Sequence, residues 1–391
     1  MVMPEDKMEQ GRPPLAGLKV VELGQNLAGP YAAAILGELG ADVVKVEKEG
    51  GDDARQWGPP FVGGKSITFH MINRNKKSVV LSLDKPSHYR AFIALIKEAD
   101  IFVHNLRPGV AEKLKISGEE MLAVNRRLIY CEQSAFGDAG PMAGKPGYEP
   151  LLQAFAGLVA VNGDPAGAPA RIGPSVVDLG TGMWSVIGAL SALQARAVTG
   201  NGAIIRNSLF ETALSWVARH AGDYGATGKT PPRVGTGHNS LTPYQAFEAA
   251  DGPVVIAAGN DRLFAKLCKV LGHEEWITDP RFIKNADRTA NRPLLVGMIA
   301  DLIRHRTVTD WVDVLEAAGV PCAPIHSVAQ VVAHEQTRAM GMILDAPDDK
   351  LTLMALPFKI NGWRPGFGSV APDLGADQAT HAPESLEEAA E

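Results

Sequence analysis

Hydrophobic positions along this chain alternate between short continuous runs and longer stretches with helical spacing. Leu18 to Leu23 forms an apolar run closed by Gly24, and Ala28-Gly-Pro30 opens a helix over Tyr31 to Leu39. Pro30 stands near the first helical position, where its missing N–H does no harm. Gly40 ends this helix, and Asp42 to Glu47 reads as the next strand. Strand, turn, helix and strand in so short a span form a βαβ unit and predict a parallel sheet. The alternation continues with a strand at 79–83, a helix at 87–99, strands at 100–104 and 128–131, and a helix at 151–161. A strand at 203–207 and a helix at 208–224 follow. Residues 225–240, rich in Gly, Thr, Pro and basic residues, read as an extended crossing. Beyond it, 243–249 and 254–258 flank Asp251-Gly252 as a hairpin. Helices are predicted at about 261–271, 294–305 and 310–318, the last capped by Thr309 and stopped by Gly319. From Ala371 the composition predicts a poorly ordered tail.

The stretch Arg171 to Trp184 breaks this rhythm. Val176 and Val177 lead into Asp178, a glycine-spaced turn follows, and a small-residue helix is predicted over 183–193. At such a junction, unpaired backbone amides and the helix dipole favour an ionised carboxylate. An ordinary N-cap and a reactive carboxylate both fit the residues.

Composition narrows the picture. The chain has 391 residues, 46% hydrophobic and 21% charged, enough for a large core and two domains. A net charge of −6 argues against general nucleic-acid or membrane-surface binding. Cys131, Cys268 and Cys322 have no CxxC spacing, so reduced thiols in a cytoplasmic setting are expected, without disulfides or a zinc ribbon. The N-terminus lacks the apolar core of a secretory signal, and no uninterrupted apolar run reaches membrane-spanning length. Ten histidines lie singly, without HExxH or paired-ligand spacing, so no metal site is expected. G-x-G-x-x-G, GxSxG and P-loop patterns are also missing. The basic cluster Asn73-Arg-Asn-Lys-Lys-Ser78 fits either a solvated turn or a phosphate contact.

Several words of the sequence carry a resemblance. Leu15 to Leu23, Ala28-Gly-Pro30, Leu39 to Glu47, Gly51-Asp-Asp-Ala-Arg55 and Asn73 to Ser78 match the class III CoA-transferases of CaiB/BaiF type. So do Asn105-Leu-Arg-Pro-Gly109, Gly147-Tyr-Glu149 and Val177-Asp-Leu-Gly-Thr-Gly182, co-linear from about 15 to 365. The resemblance implies an α/β fold: a Rossmann-like large domain built from both chain ends, a small α+β domain, and an interlocked homodimer. On the sequence this gives 1–205 for the first part of the large domain and 206–240 for a linker helix and crossing. The small domain then takes 241–330, and 331–391 returns to the large domain.

The resemblance also implies a reaction. Asp178 attacks an acyl-CoA, forms an aspartyl–CoA thioester, and passes CoA to an acceptor acid; CoA is substrate, and no tightly bound cofactor is expected. Leu27, Ala28, Lys48, Leu81, Asn105, Leu106, Arg107 and Lys113 map to the adenine and phosphate side of CoA. Lys145 and Tyr148 map beside the pantetheine and thioester, with Glu149 next to them. Glycine-rich backbone at 180–182 or 235–239 is the expected oxyanion donor. Two positions depart from relatives. Leu27 stands where formyl-CoA:oxalate transferase has glutamine, and Asp84 where a CoA-binding lysine occurs, with Lys85 next. The racemases of the family use histidine where Tyr148 stands here, and tyrosine is poorly suited to exchange an α-proton at neutral pH. Racemisation and an inactive CoA-binding homologue are therefore the alternatives. Residues 51–63, Gly237-His238 leading to Pro243 to Phe247, and Ala258-Gly-Asn260 resemble the succinyl-CoA:glutarate type. A dicarboxylate acceptor is expected, with Arg55, Arg233 and His238 as candidates for its distal carboxylate and Gly237 beside them.

Overall fold

The computed structural model describes residues 13–344, 346 and 350–382. Two compact units emerge among the described residues: 13–156, 173–217 and 335–382 form the first, and 157–172 with 218–334 the second. The excursion at 157–172 was not foreseen, because Gly157 takes a left-handed conformation and breaks the expected 151–161 helix into two pieces.

In the first unit, strands β1 (Lys19–Leu23), β2 (Asp42–Glu47), β3 (Lys76–Val80), β4 (Ile101–His104), β5 (Ile129–Ser134) and β6 (Ala203–Ser208) form one sheet. Its order is β3-β2-β1-β4-β5-β6, with every pairing parallel. The order in which strands are added therefore reverses between β1 and β4, and in such sheets ligands bind beyond the carboxyl ends of the strands at that switch. Helix α1 (Ala28–Glu38) begins before the expected position, which places Pro30 third; that N–H is also one of the unpaired four, so nothing is lost. Its buried face joins Val20, Val43, Ile101 and Ile129 in one core cluster. Helices α2 (Ile67–Asn73) and α3 (Pro86–Glu98) follow, the latter packing Phe92 and Ile96 on the opposite face with Phe102 and Tyr130.

Strand β3 starts three residues before the expected 79, which changes the meaning of the basic cluster. Arg74 and Lys76 are buried rather than solvated or free for phosphate. Arg74 pairs with Glu38 at 2.5 Å, while burial raises the Glu38 carboxyl to about 7. Lys76 Nζ donates to Glu22 at 2.7 Å, to the Pro30 carbonyl at 2.8 Å and to Asn73 at 2.9 Å. Glu22 also accepts from Lys45 at 2.7 Å, and Lys45 pairs with Asp52 at 2.9 Å. Beside them Arg55 forks onto Glu47 at 2.7 and 2.9 Å. Glu22, Glu47 and Asp52 thus face Lys45, Lys76 and Arg55, a buried cluster with no net charge.

The C-terminal segment corrects another expectation. Ala371 and Ala382 are buried, and Asp377 and Gln378 bond the backbone of Ser78 and Val80, covering the outer edge of β3. Residues 383–391 lie outside the described residues.

The second unit holds an antiparallel sheet of β7 (Tyr244–Ala249), β8 (Gly252–Ala257) and β9 (Cys322–Pro324), with β8 central. Phe247, Val254, Ile256, Phe264, Trp276 and Trp311 are buried together in its core. The helix at Val308–Ala317 is capped by Thr307, whose capping box with Asp310 displaces the expected Thr309.

Glu22→Gln should lower the unfolding free energy by about 3 kcal/mol in urea titration, because Lys45 and Lys76 lose the buried carboxylate that both ion pairs share. Adding Lys76→Met should recover part of that loss.

Candidate active site

Helix α5 (Val176–Thr199) begins seven residues before the expected 183. Asp178 is therefore not a cap: Ser175 is the N-cap, and Asp178 sits third in the helix, in its first turn. The supposed glycine turn is helical as well. Its glycines serve close packing: a Cβ on Gly182 would lie 2.9 Å from the Ala28 carbonyl, and one on Gly180 2.9 Å from Trp216. Tertiary packing overrides their poor helix propensity. Inside a helix their N–H groups bond carbonyls four residues earlier, so they cannot serve as oxyanion donors. At 24 residues the helix is also long and apolar enough, by length and composition only, to cross a membrane, although Thr181, Ser185, Ser191 and Gln194 interrupt its apolar run. Its Val186 and Ala189 are core residues beside Val20 and Ile129.

The half-buried Asp178 carboxyl is raised to about 7, first by loss of water around it and then by the charge of Glu149. The expected stabilisation of the anion by the helix end is thus outweighed. Glu149 opens helix α4 (Glu149–Phe155), and Tyr148 is its N-cap. Glu149 is buried; its Oε1 accepts from Gln153 at 2.6 Å and faces the Val177 amide at 3.5 Å. It therefore tethers the start of the Asp178 helix, a role different from the substrate contact expected of it.

Leu27 is the N-cap of α1 and packs in one cluster with Ala54, Phe69 and Leu179, the neighbour of Asp178. Ala28, buried, meets α5 at Gly182. These two, Glu149 and Asp178 are brought together around the start of α5. Leu81 is buried just beyond β3, and its amide bonds the Glu47 carbonyl. Lys48 is exposed and pairs with Asp53 at 2.7 Å; Lys85 pairs with Glu49 at 2.8 Å. Asn105, Leu106 and Arg107 follow β4, where buried His104 ends the strand. His104 Nε2 bonds Tyr130 Oη at 2.6 Å, and that hydroxyl donates to the Ile116 carbonyl, so Nε2 carries the proton. Burial holds this ring neutral, with its pKa down near 3. Arg107, Lys113, Lys145 and Tyr148 are exposed.

Three expectations about the distal carboxylate need correction. The fork of Arg55 is filled by Glu47, another of its N–H groups holds the Pro372 carbonyl, and its plane stacks on Phe69 at 4.0 Å. Arg233 donates to the carbonyls of Asp164 and Gly167 at 3.1 and 2.8 Å and fixes that turn. His238 is kept below its ordinary pKa by partial burial and by Arg219 and Arg292, so it offers no cation at neutral pH. Gly235, Gly237 and His238 amides are bonded to the Gly163, Val234 and Tyr244 carbonyls, which removes them as oxyanion donors. Arg219, 2.8 Å from His238 Nε2, escaped the sequence reading because a single arginine in a helical stretch carries no spacing signal. Lys45 escaped it because a charge inside an apolar run reads as surface, and Asp52 because it stands in a polar, glycine-rich loop.

The profile of the family described as CoA-transferase family III matches residues 15–378. An acetyl-CoA:oxalate CoA-transferase of Acetobacter aceti is 38% identical over 371 residues, covering 93% of this chain and 95% of its own. A succinyl-CoA:glutarate CoA-transferase of Mus musculus is 35% identical over 345 residues, covering 88% and 79%. A CAIB/BAIF family protein from Brucella suis superposes with a TM-score of 0.85 at 38% identity, covering 95% of this chain and 99% of that one.

Glu149→Gln should move the Asp178 carboxyl downward from about 7, read by carboxyl-carbon NMR titration. Desolvation, the larger cause, persists, so the ordinary aspartate range should not be regained.

Proposed function

The chain belongs to CoA-transferase family III, and from that premise we propose that it carries CoA from an acyl-CoA donor to a dicarboxylic acid through a thioester on Asp178. The observation that supports this is a desolvated carboxylate in the first turn of a long helix, at the position of the family's nucleophile. Asp178 attacks the thioester carbonyl of the donor and expels CoA thiolate, leaving an aspartyl–acyl anhydride. The thiolate attacks the aspartyl carbonyl, releasing the donor acid and leaving the Asp178–CoA thioester. The acceptor carboxylate attacks that thioester, CoA thiolate departs, and it then attacks the acceptor's acyl carbonyl. Asp178 leaves as carboxylate, as it began. Orientation and removal of water from a weak nucleophile supply much of the rate.

Succinyl-CoA with glutarate or a similar acid is the pair we infer first, on the motif likeness. Acetyl-CoA with oxalate is the second, since the Acetobacter aceti transferase of that name is similar over nearly the whole chain. Arg107, Lys113 and Lys145, exposed and lacking a side-chain partner among the described residues, are the inferred contacts for CoA phosphates and pantetheine. The homodimer is likewise a proposal. Met183, Ile187 and Leu190 form an exposed stripe along α5, and Leu151, Phe155 and Trp216 expose further apolar surface. Such surface is what an obligate partner covers.

Incubation with each donor and no acceptor should add CoA less water to the peptide bearing Asp178, and Asp178→Ala should abolish the adduct. No adduct from any donor, with α-proton exchange from branched acyl-CoAs, would hand the site to racemisation. Adduct formation should rise as pH passes about 7, because the protonated carboxyl is inert below it. Light scattering after gel filtration should give twice the chain mass of 41.5 kDa; a monomer would sink the dimer.

A further inference from the structure

Gly24 to Pro30 joins β1 to α1, and most of it lies outside both elements, beyond Leu23 and before Ala28. No strand ladder holds the junction; side chains from four other places do. Asn105 makes a reciprocal pair with Gln25: Oδ1 accepts from the Gln25 amide at 2.9 Å, and Nδ2 donates to its carbonyl at 2.7 Å. Asp52 Oδ1 accepts from the Asn26 amide at 3.0 Å and, also at 3.0 Å, from Ala54. Lys45 Nζ holds the Gly24 carbonyl at 2.9 Å, and Lys76 Nζ the Pro30 carbonyl at 2.8 Å. Asn26 itself sits at φ 66°, in the left-handed region that asparagine enters more readily than other non-glycine residues. Gly29 makes room for the grip, since a Cβ there would lie 3.2 Å from Asn105 Cγ.

We propose that Asn105 and Asp52 are positioning residues, which fix the Gln25–Leu27 backbone before ligand arrives and act on acyl-CoA through Leu27 and Ala28. The Asn105 amide is already engaged at both its oxygen and its nitrogen, so its contribution is made inside the protein. A segment ordered in advance spends none of the binding free energy on its own ordering. Through Asp52 and Lys45 the segment is fastened to the buried charge cluster. The proposal rests on the CoA-transferase reading of this site.

The test combines amide hydrogen exchange on ligand-free protein with steady-state kinetics. Asn105→Ala removes both the acceptor for the Gln25 amide and the donor to its carbonyl. Asp52→Ala removes the acceptor for Asn26. Exchange at Gln25 in the first variant, and at Asn26 in the second, should quicken about tenfold or more, as loss of one net hydrogen bond requires. The KM for the acyl-CoA donor should rise about tenfold with a smaller change in kcat. Unchanged exchange in both variants overturns the clamp. A raised KM with unchanged exchange also overturns it, because Asn105 would then touch the ligand directly. Faster exchange with an unchanged KM overturns its bearing on binding. Exchange is read without substrate, so a wild-type chain inert toward every donor would count against the proposed reaction and not against the clamp. If Asp52→Ala fails to fold, Asn105→Ala alone decides the matter.

Discussion

Six charges buried against one face of the parallel sheet set the geometry of everything around them. Glu22 on β1, Lys45 and Glu47 on β2, and Lys76 on β3 point to the same face, because register brings Glu22 beside Lys45 and Lys45 beside Ser78. Each charge would be prohibitive alone in a dry interior; paired, the cluster is neutral and almost every polar atom is spent. The arrangement has a directional consequence. Ammonium groups and carboxylates left over from the pairing reach backbone carbonyls and amides in the neighbouring loops, at Gly24, Asn26, Pro30 and Asp52. Loops that would otherwise depend on weak local contacts inherit the rigidity of the sheet.

The start of α5 shows the opposite economy. Asp178 has been taken out of water without a cation beside it, and Glu149 adds a like charge. Its folded pKa stands above the ordinary one, so the folded state binds its proton more tightly than the unfolded chain does. Stability from this group is therefore fully present at low pH and falls away as pH rises through about 7. A fold that keeps such a residue gives up stability there, a cost that the reaction proposed for Asp178 would account for. The glycines beneath it and the tether from Glu149 hold the residue in place despite that cost.

The apolar stripe on α5 and the neutral His104 belong to the same logic of placement. One face of the helix is core against α1 and the sheet, and the other exposes Met183, Ile187 and Leu190. His104, uncharged and fixed in one tautomer, ends β4 at the point where the chain turns into Asn105. It contributes shape rather than charge there.

Much of the fold was legible in the sequence, because apolar periodicity and glycine punctuation are local. The strands at Lys19–Leu23 and Asp42–Glu47, the parallel βαβ pattern and the antiparallel pair Tyr244–Ala249 and Gly252–Ala257 all follow from it. The words around Asp178 carried the family in the same way. What the sequence could not decide were positions whose state depends on distant partners. Arg55 and Arg233 read as free cations until Glu47 and two turn carbonyls filled them. Arg74 and Lys76 read as a solvated or phosphate-binding cluster until β3 drew them inside. Gly180 and Gly182 read as a turn until α1 and Trp216 packed where their side chains would be. Local patterns along the chain were enough for most of the elements and for the family, since both are written among neighbouring residues. Only the tertiary structure decided which charges are spent and which loops are held, because burial and long-range pairing exist only once the chain has folded.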